Sequence, residues 1–180
     1  MLAHRIATMS DEAFGWYLTG LSDGEACFHF REVKRPDRRP WFQGLFTISM
    51  RDDEGAGLAA IRDRMNCGAL RPDHSPSRLG KGNPLLRWEV NRIADLATVV
   101  VPHFDRFPLQ LKKRRDFVVW RRCIVLLHES TLRTRVGKTP TETKLGERGS
   151  RLPDRQVELL LSLIEELKAG RKYTPPTPVC

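Results

Sequence analysis

The sequence predicts an α+β fold in which a four-stranded antiparallel sheet carries helices on one face, with further helices at the C-terminus. Three observations predict it. Apolar residues recur at helical spacing up to Leu21, and the period changes to two from Ala26 onward. Two pairs of short alternating segments, 26–34 with 41–51 and 69–71 with 85–90, read as hairpins. Each segment has one apolar and one polar side, so helices are expected on only one face of the sheet.

The elements follow in order. Ser10 is a good N-cap, and Asp11 and Glu12 suit the positive end of a helix dipole. Phe14, Tyr17, Leu18 and Leu21 mark a helix over about 11–23, with Gly24 as a stop. Phe28 and Phe30 then alternate with Cys27, His29 and Arg31; Pro36, Asp37 and Pro40 mark a loop. In 41–51, Phe42, Phe46, Ile48 and Met50 share one side, and Gln43, Thr47 and Ser49 the other. Asp52 or Asp53 is expected to cap a second helix through Leu58, Ile61 and Met65, ended by 66–68. After a loop over 72–84, Leu86, Trp88 and Val90 alternate with Arg87 and Glu89. A third helix over 93–101 is expected to stop at Pro102. A long apolar helix falls within 109–128, and an amphipathic one over 153–168. These elements divide the chain into a domain over 8–130, a basic linker or loop over 131–152, a C-terminal helix over 153–170 and a flexible tail over 171–180.

Composition narrows the function. The chain has 180 residues, 40% hydrophobic and 29% charged, which suits one globular domain with a proper core. No apolar run approaches the ~20 residues that span a membrane, and the first residues lack a signal-peptide core. An intracellular setting is expected, cytoplasmic or nucleoid-type, or within an organelle. The net charge of +9 points to a polyanionic partner. The basic residues cluster at 31–39, at 112–115 and at 133–138. No basic amphipathic helix with an aromatic face favours a membrane, so nucleic acid leads. Cys27, Cys67, Cys123 and Cys180 have no zinc-ligand spacing and are expected to be reduced thiols. Phe46, Ile48, Leu58, Trp88, Phe117 and Trp120 read as packing, with no small-molecule cofactor box among them.

The polar face of the sheet is where DNA is expected. Alternation places His29, Arg31 and Arg35 there, then Gln43, Thr47 and Ser49, then Arg71, Arg87 and Glu89. Arginine pairs with guanine, glutamine with adenine and glutamate with cytosine through base edges, and a two-stranded ribbon fits the major groove. A strand of eight residues spans ~27 Å, comparable to about eight base pairs at ~3.4 Å each.

The most informative residues are at the first helix end. Leu18-Thr19-Gly20-Leu21-Ser22-Asp23-Gly24-Glu25-Ala26 places two carboxylates where a helix runs into a sheet. This stretch resembles the signature of the LAGLIDADG homing endonucleases. The order αββαββα is similar to one unit of that family. So is the segment Val101-Pro102-His103-Phe104-Asp105-Arg106-Phe107-Pro108-Leu109-Gln110-Leu111-Lys112-Lys113-Arg114-Arg115-Asp116-Phe117. The resemblance covers roughly 10–128.

It implies a site-specific double-stranded DNA endonuclease that hydrolyses phosphodiesters with Mg²⁺ or Mn²⁺. With one motif present, it implies a homodimer on a long pseudo-palindromic site. Ala13, Trp16 and Gly20 would face the second copy, since a residue without Cβ lets a helix approach closely. Glu25, with Gly24 beside it, stands at the family's metal site. A hard carboxylate suits an ion that keeps several waters. Asp23 would be a supporting acid that organises the helix end. Lys112 or Lys113 would be the catalytic base-rich position that stabilises developing charge. Three departures are visible: Glu25 for the commoner Asp, Ala26 for a second glycine, and Met50 near a place where the family often has a polar residue. The same fold also allows a catalytically weakened DNA-binding regulator or RNA-splicing maturase.

Overall fold

The computed structural model describes residues 2–34, 40–73, 84–135 and 152–171, with backbone only for 133–135. The order is α1 (Leu2–Thr8), α2 (Asp11–Glu25), β1 (Ala26–Val33), β2 (Trp41–Arg51), α3 (Gly55–Met65), β3 (Ala69–Pro72), β4 (Leu85–Val90), α4 (Ile93–Asp95), α5 (Val101–Arg106), α6 (Lys113–Arg135) and α7 (Asp154–Gly170). The strands form one antiparallel sheet in the order β1-β2-β4-β3. The expected α+β fold is therefore observed.

Period-two alternation decides what each face does. Phe28, Phe30, Phe42, Phe46, Ile48, Trp88 and Val90 point to the helices and are buried. Phe28 is at the centre. Its ring lies 5.2–5.5 Å from those of Phe46, Trp120, Phe104 and Phe117, within the range of favourable aromatic pairs. The polar tips of the buried tryptophans are satisfied: Trp88 Nε1 donates to the Cys67 carbonyl at 2.9 Å and Trp120 Nε1 to the His29 carbonyl at 3.1 Å.

Several expectations need correction. The chain begins with a helix, α1, that the sequence reading placed in no element; its Ile6 is fully buried. Arg64 fastens it, donating to the Ile6 and Met9 carbonyls at 3.0 and 2.6 Å and pairing with Asp11 at 2.7 Å. Neither Asp52 nor Asp53 caps α3. Residues Asp52–Glu54 form a 3₁₀ turn, Glu54 is the N-cap without a side-chain bond, and Asp53 pairs with Arg51 at 2.5 Å. The third helix does not stop at Pro102. A π turn over Leu96–Val100 joins α4 to α5, and the Val101 N–H reaches back to the Leu96 carbonyl. The wider turn changes the hydrogen-bond register next to the proline, which has no N–H to offer. The long helix starts later and ends later than expected; it reaches Arg135, inside the segment read as linker. Of the rest of that segment only Leu152 is described, and it is buried in the core; of the tail only Arg171 is described, and it is bonded to Asp116 and Phe28.

Two glycines lie at close approaches. Gly68 has φ +77°, and a Cβ there would lie 2.6 Å from the Glu89 carbonyl oxygen. At Gly44 a Cβ would lie 2.3 Å from Ile124 Cδ1, so a side chain there would force the Ile124 end on α6 to shift.

Candidate nucleic-acid interface and active site

Ser10 accepts from the Ala13 N–H at 3.2 Å and starts α2; the helix then runs directly into β1 at Ala26. One stripe of α2, with Phe14, Leu18, Thr19 and Ser22, is buried. The opposite stripe is not. Ala13 and Gly20 are exposed, Trp16 is 46% exposed, and neither Gly20 nor Gly24 has anything within 4 Å of where a Cβ would be. The glycine that packs against the chain itself is Gly15, whose absent Cβ would lie 2.4 Å from the Phe107 ring. Gly20 is thus left open along a flat face.

A loop between α5 and α6 is strapped onto the end of α2. Thr19 Oγ1 donates to the Phe107 carbonyl at 2.8 Å. Asp23 accepts from the backbone N–H groups of Gln110 at 2.9 Å and Leu111 at 3.3 Å. The Asp23 carboxylate is therefore occupied in holding the chain that leads into α6. Lys113, in the first turn of α6, donates from Nζ to the Gly24 carbonyl at 2.6 Å. Its pKa is lowered by burial, an effect opposed by the nearby Glu25, Cys27 and Asp23. Lys112 is exposed. Of the two lysines, Lys113 is the one beside the acids.

Glu25 itself is exposed and lines a groove on the polar sheet face together with Cys27, His29, Thr47, Ser49, Asp73 and Arg87. Two of the departures noted in the sequence can be placed in this geometry. Ala26 has φ −76° and ψ 154°, ordinary extended backbone that needs no glycine. Met50 packs against the core, on the side away from the groove.

The residues expected to read DNA share the polar face as placed by register, Arg31 opposite Gln43, Thr47 opposite Glu89 and Ser49 opposite Arg87. They are not isolated side chains. Arg31 donates twice to Gln43 Oε1, at 3.1 and 2.9 Å. Arg87 pairs with Asp73 at 2.7 Å and donates to Ser49 Oγ at 3.4 Å. Arg71 lies 3.9 Å from Glu89, which also accepts from Asn91 at 3.0 Å. His29 is half-buried, and its pKa is lowered by burial and then by Arg171 and Arg31. Thr47 is 8% exposed, at the bottom of the groove. Arg35 lies outside the described residues. Sequence reasoning missed Asp73, Thr19 and Cys27 as parts of this site. The alternation that placed His29 also places Cys27 on the polar face; Asp73 follows a strand end and carries no such signal.

Among the described residues no group of three or more His, Cys, Asp or Glu side chains converges as a metal site. Glu25 offers one exposed hard carboxylate and Gly24 a carbonyl already engaged by Lys113. That set is compatible with an ion that keeps most of its waters.

The family model for LAGLIDADG endonucleases matches residues 18–124. An uncharacterized 50.9 kDa protein in ND4 intron 1 of Podospora anserina is 32% identical over 116 residues, covering 62% of this chain and 24% of its own length. The chain thus spans about a quarter of that relative. The archaeal intron-encoded homing endonuclease I-Vdi141I, complexed with DNA, superposes with a TM-score of 0.67 at 14% identity, over 94% of this chain and 91% of that one. The LAGLIDADG meganuclease I-AabMI, bound to uncleaved DNA, gives 0.64 at 23% identity, over 88% of this chain but 46% of that one. The fold thus stands alone in one solved structure and matches about half of another chain. This chain belongs to the LAGLIDADG endonuclease family.

Proposed function

We propose that the chain is a site-specific double-stranded DNA endonuclease, a homing endonuclease that works as a homodimer on a long pseudo-palindromic site. The observation that carries this reading is the joining of three features at one place: an exposed α2 stripe, Glu25 at its end, and a polar groove continuing from Glu25 across the sheet. Packing of that stripe on a second copy would bring the two Glu25 carboxylates together and extend two grooves in opposite directions.

Each residue then has a chemical task. Glu25, with the Gly24 carbonyl, would hold Mg²⁺ or Mn²⁺. Bound there, the ion supplies water activation and neutralises charge on the leaving oxygen. Lys113, held by Gly24 beside Glu25, places a cation next to the developing phosphate charge. Asp23 holds the loop that delivers Lys113. Arg31 with Gln43, and Arg87 with Ser49, present donor and acceptor pairs to base edges. The net charge of +9 supplies sequence-independent attraction to phosphates. The intron context of the Podospora relative extends to this chain as part of the same proposal.

A library of long duplexes incubated with the protein and Mg²⁺ tests this reading. Enrichment of a single pseudo-palindromic cleaved site, by a species with the mass of a dimer, is the expected result. Specific binding without cutting would establish the regulator or maturase reading instead.

A further inference from the structure

The function of α7 is open at this point, since no residue of the proposed chemistry lies on it. The helix buries Leu160, Leu163, Ile164 and Leu167. The residue that ends it, Arg171, reaches away from this packing toward the sheet. Its Nη2 donates to the carbonyl of Phe28 on β1. Its Nε lies 3.2 Å from Asp116 Oδ2 on α6. Asp116 is one turn beyond Lys113 on the same helix, so the two share a face. Lys113 in turn donates to Gly24, next to Glu25. The contacts therefore close on themselves: from Glu25 along β1 to Phe28, through Arg171 to Asp116, along α6 to Lys113, and back to Gly24.

The geometry points to Arg171 as a positioning residue for the proposed endonuclease site, with α7 as the element that closes a ring around Glu25 and Lys113. The inference rests on the endonuclease reading for its chemistry. Without Arg171, the first turn of α6 keeps the Asp23 and Gly24 contacts at the end of α2, and the following turns keep Phe117 on Phe28 and the Trp120 bond to the His29 carbonyl. The first turn, which carries Lys113, then loses its direct tie to β1. Displacing a cation by ~1 Å from a reacting phosphate is enough to cost on the order of 10-fold to 100-fold in rate. Among the described residues, the Arg171 side chain bonds to Asp116 and to the Phe28 carbonyl, and it is 35% exposed.

The full chain carrying Arg171→Met, Arg171→Lys or Asp116→Asn tests this, by amide hydrogen exchange without DNA and by single-turnover cleavage with Mg²⁺. Faster exchange at Gln110, Leu111, Arg114 and Arg115, with sheet amides unchanged, is expected for Arg171→Met and Asp116→Asn. Cleavage should fall on the order of 10-fold to 100-fold, with DNA affinity and its salt dependence unchanged and partial recovery in Arg171→Lys. In a Lys113→Met background, Arg171→Met should add no further loss, because the residue acts through Lys113. Unchanged exchange at those amides overturns the ring. Weaker DNA binding with a smaller salt slope overturns it as well, by making Arg171 a phosphate contact. Wild type that cuts no duplex refutes the endonuclease reading alone, and exchange still decides the ring. If Arg171→Met fails to fold, Asp116→Asn decides by the same two readouts.

Discussion

The two faces of the sheet are made by the same strands and the same alternation, yet they are finished in opposite ways. On the helix side, Phe28, Phe46, Phe104, Phe117 and Trp120 fill a closed aromatic cluster in which Phe28 touches each of the other four. On the groove side, polar and charged residues are joined in pairs that differ in exposure: Arg31 with Gln43 and Arg71 with Glu89 keep an exposed arginine, whereas Arg87 with Asp73 is largely buried. Burial supplies stability on the first face, and pairing limits side-chain freedom on the second. A pair already ordered before DNA arrives loses less entropy on binding than two free side chains. On the proposed function, the difference makes stability and recognition separable in this chain, residue by residue.

Three substitutions sharpen the comparison. The largest effect belongs to the closed face. Phe28→Ala should destabilise the protein by about 3–5 kcal/mol, seen as a lower denaturation midpoint in urea. A loss within experimental error would mean the cluster is not the core.

Second comes acid sensitivity on the same side. His103 sits among Phe14, Phe104 and Phe107, and burial pushes its pKa down to about 4 from 6.5. Its Nε2 has no hydrogen-bond partner. The unfolded chain therefore binds the proton first, and stability present above pH ~6.5 is lost as the pH falls toward 4. The loss should total about 2–3 kcal/mol, at ~1.4 kcal/mol per pKa unit with some allowance for partial exposure. His103→Leu should flatten that part of the stability–pH curve; an unchanged slope would assign it to other groups.

The smallest effect on stability belongs to the open face. Arg31→Ala removes an exposed pair and should change stability by no more than ~0.5 kcal/mol. The same change should weaken discrimination at one base position by about 1–3 kcal/mol. Destabilisation comparable to Phe28→Ala would break the comparison.

The legible parts of the sequence are those with a local period. Alternation through β1, β2 and β4 separated the two faces, though not which residues pair across strands, and the helical stripe of α2 placed Ala13, Trp16 and Gly20 on one side, with Glu25 expected just past an end that the structure puts at Glu25 itself. Contacts between distant segments left no such trace. Nothing near Arg171 announces Asp116 or Phe28, and nothing near Asp73 announces Arg87. α1 has one deeply buried side chain, Ile6, too few for a periodic signal. Pro102 misled because proline ends most helices; the π turn before it shows how the helical path was kept. Lys112 and Lys113 are alike by sequence, and only the bond from Lys113 to Gly24 separates them.

The central claim is that Glu25 carries the chemistry while the polar face carries the recognition. The direct measurement compares wild type with Glu25→Gln, which keeps size and removes charge, on the selected target in Mg²⁺. Cleavage should fall at least ~100-fold, with affinity for the uncut duplex and thermal stability unchanged. Equal cleavage by the two proteins would contradict the account.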